Sequence, residues 1–185
     1  MSASSSSQGD GPTALADIAT NSPSAANQAM RRFTTKQMGD ACEMLVAAEL
    51  TLAGIPALKV PDNWPHYDVI AQPIAASAQR ISVKSRTFKR GSAYVEYNDF
   101  DQFDWLAVVL LSSTEANGRS IYVIPRAVAD LNARRDKLTS KTANLRYYRI
   151  DEIDRLFESY RNNFVLSVGG TGDLAPRSDL AMDQS

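Results

Sequence analysis

The spacing of apolar residues changes period several times along the chain, and each change predicts an element. Thr34 or Thr35 can cap a helix, and Met38, Ala41, Leu45, Ala48 and Leu52 then recur every three or four residues. This predicts an amphipathic helix to about residue 53, ended by Gly54. Residues 55–60 and 67–71 read as short strands on either side of the Pro/Asn cluster at 61–65. In residues 80–85, Ile81 and Val83 alternate with Ser82 and Lys84, the period of a strand with one apolar and one polar face. A strand at 93–97 and a helical turn at 99–103 are expected next. Residues 105–111 form a near-continuous apolar run, which predicts a strand buried on both faces. A turn at Asn117-Gly118 leads to a strand at 120–124, and Pro125 opens a helix over 126–137. An edge strand at 145–150 and a helix at 151–160, capped by Asp151, complete the pattern. The order predicts an α/β or α+β domain with a mixed central β-sheet flanked by helices.

Composition narrows the picture. The chain has 185 residues, 20 Lys+Arg against 21 Asp+Glu, and 44% hydrophobic residues, as expected of one globular domain. No apolar run approaches the length of a membrane-spanning helix, so no membrane partner is expected. One cysteine, Cys42, and one histidine, His66, cannot build a zinc site from nitrogen and sulfur ligands, so a metal would need oxygen donors. The N-terminus lacks the basic start and apolar segment of a secretory signal, which predicts a cytoplasmic protein. Residues 1–33 are Ser/Ala-rich, with only Asp10 and Asp17 charged before residue 30, and are expected to be disordered, as is the tail at 168–185. The folded domain is expected over 34–167.

The near-zero net charge conceals segregation. Residues 80–94 hold Arg80, Lys84, Arg86, Lys89 and Arg90 and no acid, and residues 119–149 hold eight basic side chains against Asp130 and Asp136. A polyanion-binding face is compatible with this pattern, and so is a solvated charged surface.

Three motifs carry candidate chemistry: Gly39-Asp40-Ala41-Cys42-Glu43 in the first helix, Pro65-His66-Tyr67-Asp68-Val69-Ile70 entering a strand, and Ile81-Ser82-Val83-Lys84 on the next. In this order they resemble the PD-(D/E)XK nuclease superfamily, in particular its resolvase-like and homing-endonuclease-like branch, over roughly residues 36–125. The resemblance implies a restriction-endonuclease-like core. It also implies an acid in the first helix, an Asp at the head of a strand, and an acid or glutamine two residues before a Lys on the adjacent strand. Phosphodiester hydrolysis explains why such groups converge. A hard divalent cation takes carboxylate oxygens and neutralises the phosphate, while a lysine beside it can orient the attacking water or stabilise developing charge. On this resemblance Asp68 and Glu43 are the metal ligands for Mg2+ or Mn2+, Lys84 is the catalytic lysine, and Ser82 participates weakly or through water. Ser82 and Lys84 project to one face of their strand, and antiparallel pairing would bring Asp68 beside them.

Ser82 stands where that pattern carries an acid or glutamine, and the loss of a negative charge weakens divalent binding. Three readings stay open: Ser82 acts through a bridging water, Glu96 supplies the missing acid, or the site only binds. Asp62 is a further contributor without a strand to hold it. Glu49 competes with Glu43, since the two lie about 120° apart around a helix, and the Gly39–Glu43 spacing favours Glu43. Asp68 could equally cap a turn, Lys84 could be a solvent-facing lysine, and His66 could be surface decoration. Trp64, Tyr94 and Tyr97 could stack on bases or line the edge of a core, and Cys42 reads as a small buried hydrophobe.

The expected function is a Mg2+-dependent DNA endonuclease whose phosphate contacts come from Arg86, Lys89, Arg90 and a helix bearing Arg134 and Arg135. Two-fold homodimerisation is one arrangement that would let identical sites cut both strands. The alternatives are a catalytically inactive DNA-binding module of the same fold and a protein-interaction domain with basic patches.

Overall fold

The computed structural model describes residues 34–64, 66–87, 94–112 and 118–171. The chain divides at Phe33/Thr34. Met1–Phe33, Lys89, Arg90 and the Asn117 half of the expected turn lie outside the described residues, as does the tail beyond Thr171.

Helix α1 (Thr35–Leu52) starts at a capping box in which the Thr34 hydroxyl accepts from the Gln37 N–H and the Gln37 side chain accepts from the Thr34 N–H. It buries Cys42, Val46, Ala47 and Leu50. The expected Met38-Ala41-Leu45-Ala48-Leu52 stripe is therefore only partly the inner face: Met38 and Leu45 pack at its margin, Ala41 and Ala48 are exposed, and Leu52 is 83% exposed. Cys42, Val46 and Leu50 also form an i, i+4, i+8 row. That row wins because it buries more apolar area than one built on alanines.

Five strands form the main sheet: β1 (Ala57–Lys59), β2 (Val69–Ala71), β3 (Gln79–Thr87), β5 (Trp105–Leu111) and β6 (Arg119–Pro125), side by side in that order. All pairings are antiparallel except β3 with β5, so the sheet is mixed. Strand β4 (Tyr94–Asn98) lies between β3 and β5 in sequence but belongs to a second sheet with β8 (Leu145–Arg149) and β7 (Arg134–Arg135). Alternate residues of β5 feed two cores. Trp105, Ala107 and Val109 join Cys42, Val46, Leu50, Ile81 and Val83 under α1. Leu106, Val108 and Leu110 pack with Val95, Tyr148, Ile153 and Phe157 on the other face. A strand buried on both faces cannot alternate in polarity, which explains its continuous apolar run.

Three expected elements differ: the edge strand expected at 145–150 is β8, the middle strand of its sheet, with β4 on one side and β7 on the other. The helix after Pro125, α2 (Arg126–Asn132), stops short because Ala133 turns extended and Arg134–Arg135 pair with Arg146 and Tyr147 of β8. Arg134 and Arg135 are thus strand residues. The expected final helix is a 3-10 turn (Ile150–Glu152), the five-residue α3 (Ile153–Phe157) and a second 3-10 turn (Glu158–Tyr160); Asp151 pairs with Arg149 instead of capping it. Ordered packing continues to Gly170, which is buried against Ser159. No helix among the described residues is long and apolar enough to cross a membrane.

Candidate functional site

Asp68 stands where β2 begins. Its backbone is already in the ladder: its N–H donates to the Ile81 carbonyl at 2.9 Å and its carbonyl accepts from the Val60 N–H at 3.0 Å. Its side chain then takes the place of the next strand carbonyl. Oδ2 accepts from the Val83 N–H at 2.6 Å and from the Ser82 hydroxyl at 3.4 Å. A carboxylate held by two donors on β3 has little rotational freedom, so its position follows from the register of β2 against β3. The chain reaches this point through His66, whose φ of 72° is left-handed, and whose ring Nδ1 lies 3.4 Å from Asp101.

Glu43 reaches the same place from α1. Glu43 and Asp68 line one cleft of about 220 Å³, together with Lys36, Asp40, Asp62 and Trp64. Lys36, Asp40 and Glu43 lie at i, i+4 and i+7, one face of the helix. Gly39 faces Glu43, and a Cβ there would sit 3.9 Å from its Oε1. Carboxylate oxygens of Asp40, Glu43 and Asp62 come within 4.8 Å of one another. Lys59, at the end of β1, threads between them: its Nζ donates to Glu43 Oε2 at 2.5 Å and Asp62 Oδ1 at 2.8 Å, and lies 3.2 Å from Asp40 Oδ1. Lys36 pairs with Asp40 at 3.3 Å and with Asp62. Lys36 and then Lys59 pull the Asp62 carboxyl down to about 2, while Asp62, followed by Glu43, holds the Lys59 ammonium far above its ordinary range. Four carboxylates (Asp40, Glu43, Asp62, Asp68) face two ammonium groups, so the cleft keeps two formal negative charges if every acid is ionised. An all-oxygen donor set of this density fits a hard divalent cation and does not suit a soft one.

Ser82 is 2% exposed and touches Asp68, so the structure brings Asp68 and Ser82 into contact and Asp68 and Glu43 into one cleft. Lys84 is half-buried two residues further along β3, on the face opposite Ile81 and Val83. Among the described residues it has neither a hydrogen-bond nor an ion-pair partner, and it does not line the cleft. Arg86 donates to the Tyr94 and Ser85 carbonyls. Arg134 binds Glu152 at 2.5 Å and Arg135 the Asp130 carbonyl at 3.1 Å; both are exposed. Glu96 is exposed on β4 in the other sheet and does not line the cleft, and Glu49 faces Arg119 at 3.7 Å. Tyr97 is buried, donating to Asp130 at 2.7 Å, and Tyr94 packs edge-on against Tyr147, so these two serve the second sheet. Trp64 is half-exposed at the cleft, donating to the Tyr67 hydroxyl. Cys42 is buried and its thiol is pushed up by desolvation.

Sequence reasoning passed over Asp40, Lys36 and Lys59. The i, i+4, i+7 spacing of Lys36, Asp40 and Glu43 was a usable signal. Nothing local pointed to Lys59, which joins the group only through the pairing of β1 with β2.

No known family's sequence profile matches the chain, and no curated protein matches it. Solved structures do. A bacterial homing endonuclease, I-Ssp6803I, superposes with a TM-score of 0.50 at 19% identity, covering 74% of this chain and 94% of that one. The Holliday junction resolvase Hjc from the hyperthermophilic archaeon Archaeoglobus fulgidus gives a TM-score of 0.40 at 16% identity, covering 65% and 88%. A mixed sheet with α1 on one face, superposable on the homing endonuclease over nearly that enzyme's whole length, is a nuclease-like fold.

Proposed function

We propose that the protein is a divalent-cation-dependent endonuclease that hydrolyses phosphodiester bonds in DNA. One observation carries the reading: Glu43 and Asp68, 25 positions apart and on different elements, line one acidic cleft in a nuclease-like fold. Glu43 and Asp68 would hold Mg2+ or Mn2+, which would neutralise the scissile phosphate and acidify the attacking water. Asp68 is the stiffer ligand, because Val83 and Ser82 fix one of its oxygens. Ser82 contributes no charge and acts by orienting Asp68. Lys84, with no partner among the described residues, is the amine available to a phosphate oxygen or to the departing proton. Arg86, Lys89, Arg90, Arg134 and Arg135 supply phosphate contacts, which makes binding weaken with salt. Cutting both strands favours a homodimer.

The second reading, a DNA-binding module without catalysis, draws on Ser82: the pattern's second strand acid is absent, and no described residue of β3 replaces it in the cleft. A cleavage assay with Mg2+ and Mn2+ on linear, nicked and branched DNA separates the two. The nuclease reading expects cleavage by the wild type, lost in Lys84→Ala with DNA affinity retained. Wild-type protein that shifts DNA and never cuts it selects the second reading, and unchanged cleavage in Lys84→Ala removes Lys84 from the mechanism.

A further inference from the structure

We propose that Lys59 is an intramolecular rival of the divalent cation at Glu43, so that the cleft is loaded only by displacing an ammonium group the protein itself supplies. The inference rests on the nuclease reading, since it takes Glu43 as a metal ligand. Lys59 Nζ lies 2.5 Å from Glu43 Oε2 and within 3.2 Å of Asp40 and Asp62. The Lys59 and Glu43 side chains are 21% and 18% exposed, so their contact is partly shielded from water and salt. Lys36, the other amine of the group, is 67% exposed and holds Asp40 and Asp62 from the solvent side without touching Glu43.

The location of the Lys59 amine is a property of the fold. Lys59 is the β1 residue paired with Val69, next to Asp68, and the Val60 N–H donates to the Asp68 carbonyl at 3.0 Å. The strand that buttresses one proposed ligand therefore delivers a cation to the other. An ammonium and a hydrated divalent ion both seek several anionic oxygens, and the Lys59 charge, 2.5 Å from Glu43 Oε2, repels a second cation brought to the same carboxylate. Removing the lysine charge leaves four carboxylates with one ammonium, and a unit charge a few ångströms from a divalent ion changes its affinity by on the order of tenfold or more. Asp40 and Asp62 are assigned here as the groups that hold Lys59, without a metal of their own.

The test is calorimetric titration of Mn2+ and Mg2+ into the chelator-treated full chain, for the wild type, Lys59→Met, Lys59→Gln and Lys59→Arg, with metal-free melting curves to establish folding. The two neutral replacements guard against one of them failing to fold. The expected result is Mn2+ binding about tenfold tighter in Lys59→Met and Lys59→Gln, with Lys59→Arg near the wild type. Equal or weaker binding in the neutral variants, with wild-type cleavage intact, overturns the role of Lys59 alone. Absence of cation binding and of cleavage in every form overturns the nuclease reading with it.

Discussion

Asp68 has two separable duties, and a pair of substitutions tells them apart. In Asp68→Ala the Val83 N–H loses the acceptor it holds at 2.6 Å, and the Ser82 hydroxyl loses its partner at 3.4 Å. Val83 is 8% exposed and Ser82 2%, so water cannot readily replace the carboxylate. A buried donor left unsatisfied costs about 1–3 kcal/mol, and the lost bond was made to a charged group, which sets the expected loss near 2 kcal/mol. For a domain between the 100- and 150-residue classes, that lowers Tm by roughly 5–10 °C. Asp68→Asn keeps a carbonyl oxygen of the same shape, so the ladder position stays filled and the expected loss is under about 1 kcal/mol. The charge, however, is gone in both. Melting curves in chelator should therefore rank wild type, Asn and Ala in falling order, while Mn2+ affinity and DNA cleavage are lost alike in the two variants. An Ala variant that melts within about 1 °C of the wild type refutes the ladder argument. An Asn variant that cleaves DNA normally refutes Asp68 as a ligand.

Two further predictions concern stability. Gly170 has φ of +82°, and a Cβ built there would lie 2.3 Å from the Ser159 carbonyl oxygen, so Gly170→Ala should cost about 1–3 kcal/mol, read as a fall in urea midpoint; an unchanged midpoint would show that the segment after Asn163 does not pack as described. Asp104 is held below its ordinary value of 3.8 by the Arg80 guanidinium, which donates to both carboxylate oxygens. The sign follows from a lowered folded-state value: the pair's contribution is complete above about pH 4 and is lost as pH falls below it. Asp104→Asn should thus narrow the gap between melting temperatures at pH 6 and pH 3, and an acid limb identical to the wild type would sink the assignment.

Much of this architecture was legible in the pattern of residues because period and burial are local properties. The apolar run Trp105–Leu111 could only be a strand covered on both faces, and the alternation of Ile81 and Val83 with Ser82 and Lys84 already put the last two on one side. The approximate placement of α1 and of all five main-sheet strands followed from the same logic, and so did the mixed-sheet class, whereas the nuclease-like fold was an implication of the resemblance carried by the three motifs. What remained hidden depended on contacts between distant segments. Two apolar rows compete on α1, and only the sheet beneath it selects Cys42, Val46 and Leu50. Arg134 and Arg135 have the local makings of helix, yet pairing with β8 draws them into a strand, because ladder bonds exist only once β8 lies alongside.

The cleft shows the same division. Asp68, Glu43 and Ser82 could be singled out from their residue types and order, and Asp62 was recognisable as an acid with nothing evident to hold it. The sequence alone determined which chemistry was present: carboxylates, amines, and too few cysteines and histidines, one of each, to build a nitrogen/sulfur metal site. Tertiary structure decided how those groups meet. The antiparallel register of β1, β2 and β3 sets the Asp68 carboxylate against Val83 and carries the Lys59 ammonium to Glu43, Asp40 and Asp62. The physical reason is that electrostatic interactions fall off over a few ångströms in space and take no account of separation along the chain.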